Sequence, residues 1–81
     1  NPARGATRLR LALPSAGRWT LDVVDVTGQN VHRLGGEAPA GVLDLTWDGR
    51  GEGGRRVAPG LYFARARWGR ESATQRVVRV E

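Results

Sequence analysis

Apolar and polar residues alternate one by one along most of this chain. Between Ala6 and Leu13, Thr7, Leu9, Leu11 and Leu13 point one way, and Arg8, Arg10 and Ala12 point the other. Side chains on a strand switch faces at every residue, so the segment reads as a half-buried strand. A helix would bring Leu9 and Leu13 together but send Leu11 to the far side. Pro14-Ser15-Ala16-Gly17 ends the strand with turn chemistry. A second strand is expected from Trp19 to about Val26, with Trp19, Leu21 and Val23 on one face and Thr20 and Asp22 on the other. Thr27-Gly28-Gln29-Asn30 reads as a turn in which Gly28 supplies a positive φ. Val31 to Leu34 reads as a short third strand, hairpin-paired with the second.

Gly35 to Gly41 is rich in Gly and Pro and is expected to be a loop. Alternation resumes from Val42 to Trp47, with Leu43, Leu45 and Trp47 in phase. Asp48 to Arg56, holding four glycines, is a tight connection. In the strand Leu61 to Arg67, Tyr62, Ala64 and Ala66 point inward and Phe63, Arg65 and Arg67 outward. Trp68-Gly69-Arg70-Glu71 turns the chain, and Thr74 to Val80 closes it, with Val78 and Val80 sharing a face with Thr74 and Arg76. Six or seven strands spaced about 8–12 residues apart predict an all-β fold, an antiparallel sandwich or small barrel. No stretch reads as a helix, and no internal repeat is present.

The length, 81 residues, allows one small domain over residues 1–81 with one modest core. An apolar share of 40% with 26% charged residues is the composition of a folded domain. No apolar run approaches the roughly 20 residues of a membrane-spanning helix. The sequence has neither an initiator Met nor a signal-peptide pattern, so a processed product or an excised domain is expected. With no Cys, thiol catalysis, disulfides and Cys-ligated metals are excluded. His32 is the sole histidine, and no motif supports a Ser-His-Asp relay with Ser15 or Ser72. All thirteen basic residues are Arg and the net charge is +5, which reads first as genome composition bias and second as function.

Candidate chemistry is sparse. Gly49-Arg50-Gly51-Glu52-Gly53-Gly54 matches a phosphate-binding string, but that chemistry needs a helix N-terminus afterwards, and Pro59 and a strand follow instead. Asp48 and Glu52 are too few acids for a dedicated Ca²⁺ site, so Asp48 is expected to fix a turn. His32 reads as a solvent-exposed strand residue lacking the neighbours a catalytic base needs. No catalytic, metal or cofactor site is expected. The arginines spread along the whole chain, mostly in the outward phase, which solubility alone explains and which disfavours a nucleic-acid partner. One stretch, Arg65-Ala66-Arg67-Trp68-Gly69-Arg70, interleaves basic and aromatic groups, so Arg65, Arg67, Trp68 and Arg70 are candidates for contact with phosphate or an anionic glycan. Trp19 and Trp47 are in phase with the core, whereas Trp68, at a turn, either covers an end of the sandwich or is an exposed contact.

Short motifs follow one another in a recognisable order: Asn1-Pro2, Leu13-Pro14 with Gly17, Val24-Asp25-Val26-Thr27-Gly28, Trp47-Asp48-Gly49-Arg50, Pro59-Gly60-Leu61-Tyr62-Phe63, and Arg76-Val77-Val78-Arg79-Val80. Together they resemble the FlgD-like immunoglobulin-type domains and the type A sorting domains of the type IX secretion system. The resemblance covers essentially the whole chain and separates those two branches poorly. It implies an Ig-like antiparallel β-sandwich of about seven short strands, without catalytic activity. It also implies a secreted or cell-surface location in a Gram-negative-type bacterium, where outer-membrane secretion machinery and a surface peptidase would be the partners. Pro59, Gly60, Leu61 and Tyr62 match the family's P-G-x-Y element, and Arg76, Val77, Val78, Arg79 and Val80 match its basic-apolar last strand, with Arg where Lys is frequent. That strand runs to the end of the sequence at Glu81, as expected of a C-terminal address. Asp25, Gly28, Trp47, Asp48 and Gly49 are the expected structural turn residues. The alternative is a structural subunit or spacer of an extracellular assembly, self-associating through open sheet edges or by pairing Asn1 to Thr7 with a neighbour.

Overall fold

A computed structural model describes residues 2–3 and 5–80. Asn1 of the opening motif, Arg4 among the basic residues and the terminal Glu81 lie outside the described residues. Seven strands follow in order: β1 (Pro2–Ala3), β2 (Thr7–Leu13), β3 (Gly17–Asp25), β4 (Asn30–Ala38), β5 (Gly41–Trp47), β6 (Gly60–Trp68) and β7 (Glu71–Arg79). They form a five-stranded sheet, ordered β1-β7-β6-β3-β4, and a two-stranded sheet of β2 and β5. Pairing is antiparallel except between β1 and β7, where Pro2 and Ala3 run parallel to Val78 and Arg79. Part of the N-terminal segment that the alternative reading pairs with a neighbour is therefore paired within its own chain.

The expected alternation builds the core. Leu9, Leu11, Leu13, Leu45 and Trp47 from the small sheet face Leu21, Val23, Tyr62, Ala64, Ala66 and Val77 from the large one. Small alanines on β6 let the sheets approach, and Trp47, fully buried, fills one end.

Three expectations need correction. The third strand does not stop at Leu34; it runs to Ala38, taking in most of the segment read as a loop. Gly36 is there to make room, because a Cβ would press on the Trp19 indole at 3.2 Å. His32 is not solvent-exposed. It pairs with Val23 across the sheet, its side chain is only 20% exposed, and Nδ1 sits 3.8 Å from a carboxylate oxygen of Glu52, brought by a distant loop. Arg79 departs from the outward phase expected of most of the arginines. On β7 the buried pair is Val77 and Arg79, while Val78 lies on the outer face.

Sheet edges are partly covered. Oε2 of Glu52 accepts the Arg33 N–H at 2.7 Å, so the glycine-rich connection caps part of β4, and β1 covers the last residues of β7. Capped edges resist pairing with other chains.

Candidate functional site

Strand parity divides the P-G-L-Y-F element in two. Gly60 carries a φ of +150° at the entry to β6. Tyr62 then drops into the core and donates its hydroxyl to the Ala58 carbonyl at 2.7 Å, tying the strand to the turn holding Pro59. Burial, then the nearby charge of Asp25, pushes the Tyr62 phenol above its usual range, with Arg79 opposing. Leu61 and Phe63 point the other way and remain half-buried on the outer face of the large sheet.

The last strand divides in the same manner. Val77 and Arg79 turn inward, Arg76 and Val78 outward, and half-buried Val80 follows the strand. Register then joins the two motifs, because Leu61 lies opposite Val78 and Phe63 opposite Arg76. Val24 of β3 flanks Phe63 on its other side. The outer halves of two sequence-distant motifs thus form one apolar patch with one guanidinium in it.

The inner halves form a different structure. The Arg79 guanidinium lies 5.3 Å from the centre of the Trp47 ring and donates to the Gly5 carbonyl. Trp47 meets Tyr62 edge-on, with ring centres 5.7 Å apart. Its indole N–H donates to the Arg50 carbonyl at 2.9 Å, and Asp48 Oδ1 accepts the Arg50 N–H at 3.0 Å. Gly49 completes the corner with a φ of +80°, and a Cβ there would strike the Arg79 guanidinium. The W-D-G-R and last-strand motifs are therefore two sides of one buried cluster. Arg79 as a core residue was not legible from composition; the phase of Val77 was the available signal.

At the same end, Asp25 closes the β3–β4 hairpin. Its Oδ1 accepts from the Thr27 hydroxyl at 2.6 Å, the Thr27 N–H at 2.9 Å and the Gln29 N–H at 3.0 Å. The Thr27 hydroxyl holds the Asp25 carboxyl below its usual range; desolvation opposes it, and the Gln29 and Thr27 backbone donors add to the lowering. The Gly28 N–H donates to the Asp25 carbonyl, and Gly28 has a φ of +85°.

The basic-aromatic stretch does not act as one unit. Arg65 lies in a cross-strand row with Asp22 and Arg33, where Arg33 Nε donates to Asp22 Oδ1 at 2.7 Å. Arg67, Trp68 and Arg70 lie at the far end of the sandwich and line a cleft of about 550 Å³ that Arg18 and Trp19 also border. Sequence reasoning missed Arg18 and Trp19 because the β3–β6 register, which sets Trp19 opposite Trp68, is invisible in the sequence.

No group of three or more potential metal-ligating side chains occurs among the described residues. No helix among them is long and apolar enough to cross a membrane.

The model of the FlgD Ig-like domain matches residues 3–69. FlgD of Xanthomonas campestris, whose crystal structure is described as giving insight into hook capping essential for flagellar assembly, is 30% identical with a TM-score of 0.72, over 93% of this chain and 56% of that one. FlgD of P. aeruginosa is 27% identical with a TM-score of 0.71, over 88% of this chain and 57% of that one. Dimeric latent PorU of Porphyromonas gingivalis shares the fold at 18% identity and a TM-score of 0.76, over 99% of this chain and 8% of that one. This chain thus spans a little over half of the FlgD structures. No curated protein sequence matches it. The family match covers most of the strands described above, and the chain belongs to the FlgD Ig-like domain family.

Proposed function

We propose that this domain is a non-catalytic sorting module of a secreted bacterial protein, read by outer-membrane export machinery at the cell surface. The observation that carries the reading is the outer patch of Leu61, Phe63, Arg76 and Val78. The two motifs that the sorting resemblance rests on contribute their outward residues to one contiguous surface, by the register of β6 with β7. Tyr62, Val77 and Arg79 have packing roles in the core, and strand alternation sets Leu61, Phe63, Arg76 and Val78 on the opposite face, where the core makes no demand on their chemistry. A partner reading the patch would cover apolar surface and pair with one guanidinium, a combination common in protein–protein contacts.

The test is a cargo fused to this domain in a producing strain that exports such proteins. Leu61→Asp and Arg76→Glu should each leave the cargo in the periplasm while the purified variants keep the parent's circular dichroism spectrum, with the urea midpoint unchanged for exposed Arg76→Glu. Surface delivery that survives both substitutions and removal of the whole domain would discard the sorting role.

A second reading, a structural subunit or spacer of an extracellular assembly, is favoured by the 27–30% identity to the two FlgD structures. Much of β7, from Glu71 to Val77, has no strand on its outer side among the described residues, and such an edge can pair with another chain. Sedimentation of the purified domain separates the two: oligomers growing with concentration promote assembly, and a monomer at all concentrations counts against it.

A further inference from the structure

We propose that the cleft at the Trp68 end of the sandwich is a binding site for an acidic oligosaccharide, one carrying uronate carboxylates. This inference stands independently of the sorting reading, because the cleft and the outer patch share no residue.

The cleft is built by the β2–β3 turn and the β6–β7 hairpin, which leave a gap between the two sheets of about 550 Å³. That volume lies in the range of small-ligand sites, roughly 300–1,000 Å³. Leu13, Pro14, Trp19 and Trp68 give it apolar walls. Trp68 also borders a neighbouring depression of about 430 Å³ toward Val42 of β5, so the indole stands in a trough longer than one ring. The C–H faces of sugar rings pack well on indoles, and extended glycans suit troughs. Inside the protein nothing polar tethers that ring, since the Trp68 Nε1–H is buried and has no acceptor among the described residues. A buried indole N–H ordinarily has a partner.

Charge selects the acidic class. Arg18, Arg67 and Arg70 line the cleft and are exposed, and none makes an ion pair or side-chain hydrogen bond among the described residues. Arg10 pairs with Asp44 and Arg33 with Asp22, whereas Arg55, Arg56 and Arg76 share the unpaired state of the three cleft arginines among the described residues, so it is their convergence on one cleft that sets these three apart. Glu71 is the one acid in the lining. Guanidiniums present planar donors that match carboxylates bidentately. Tryptophan walls with arginines at the mouth fit an oligouronate better than an acidic peptide, whose backbone offers less flat apolar surface to an indole.

The three indole N–H signals give the test its own control, because Trp47 is 1% exposed, hydrogen-bonded and at the other end of the molecule. Trigalacturonate titrated into the ¹⁵N-labelled protein should shift the Trp68 and Trp19 indole signals and the Gly69 and Arg70 amides saturably, with half-saturation below about 10 mM. The Trp47 indole should stay still. Arg67→Ala and Arg70→Ala should each weaken binding about three- to fivefold, and Arg55→Ala, on the distal glycine-rich connection, should leave it unchanged. Maltotriose, neutral and of equal length, should shift nothing. The proposal is overturned by non-saturating shifts, by equal weakening from Arg55→Ala, or by tetraglutamate binding as tightly as trigalacturonate, which would make the cleft an acidic-peptide site.

Discussion

The two ends of this sandwich are built on opposite principles. At the Trp47 end, side chains satisfy backbone groups and one another. Tyr62 bonds Ala58, Trp47 bonds Arg50, Arg79 bonds Gly5, and Asp25 gathers three donors in its hairpin. At the Trp68 end, the turns are short and exposed, a cleft separates the sheets, and three arginines stand without ion pairs among the described residues. Both ends hold tryptophan and arginine, so composition does not make the difference. Closure does: where β1, the glycine-rich connection and β7 converge, a guanidinium becomes part of the core, and where nothing converges, it remains available to a ligand. A buried charge is tolerable only with partners, which Trp47 and Gly5 provide.

The largest test of this contrast is a pair of alanine substitutions. Trp47→Ala should cost about 3–5 kcal/mol, comparable with the whole stability of a domain this size, about 4–12 kcal/mol. Trp68→Ala should cost about half as much, since its ring is only half-buried. Equal costs by urea denaturation would erase the distinction between the ends. Next comes Arg79→Met, which keeps the stem but removes the cation over the indole and the bond to Gly5. It should cost about 2 kcal/mol, against less than about 0.5 kcal/mol for Arg70→Met at the open end.

Glycines sharpen the comparison further. Gly49 and Gly69 both have φ in the left-handed region, at +80° and +56°. Alanine pays about 1–2 kcal/mol for that conformation at either site. Only at Gly49 does its Cβ also meet Arg79, so Gly49→Ala should destabilise by about 1 kcal/mol more than Gly69→Ala.

The smallest effects are those of pH, and they belong to the closed end. Asp25 is held below its ordinary range near 3.9 chiefly by the Thr27 hydroxyl, so its contribution is complete above that value and fades as pH falls through the folded one. Tyr62 is held above its ordinary range near 10 chiefly by burial. Its contribution is complete below pH 10 and is lost as pH rises through the folded value, where ionisation also ends donation to Ala58. Urea midpoints should therefore drop below about pH 4 and above about pH 10, with the alkaline drop reduced in Tyr62→Phe. On the small sheet, the exposed pair Arg10 and Asp44 also shifts both partners toward their charged forms, but salt screens it.

Much of the fold was legible in particular residues. Leu9, Leu11 and Leu13 set the inner face of β2, and Tyr62, Ala64 and Ala66 that of β6, because a period of two is a local property of the backbone. Gly28 and Gly49 were legible as turn glycines for the same local reason. Gly35 and Gly36 misled, since their role is to lie beside Trp19, seventeen residues earlier in the case of Gly36. His32 misled likewise, because Glu52 reaches it only through the folded connection.

The alternation of side chains by itself determined that this protein is a layered β-structure, where most of its turns fall and that Trp47 serves the core, since each of these follows from the stereochemistry of neighbouring residues. Tertiary structure alone decided that Arg79 is buried, that Leu61 and Val78 share a surface, and that Arg18, Arg67 and Arg70 surround one cleft. Those outcomes depend on register between strands far apart in sequence, and register is fixed by the packing of the whole sheet rather than by any one segment.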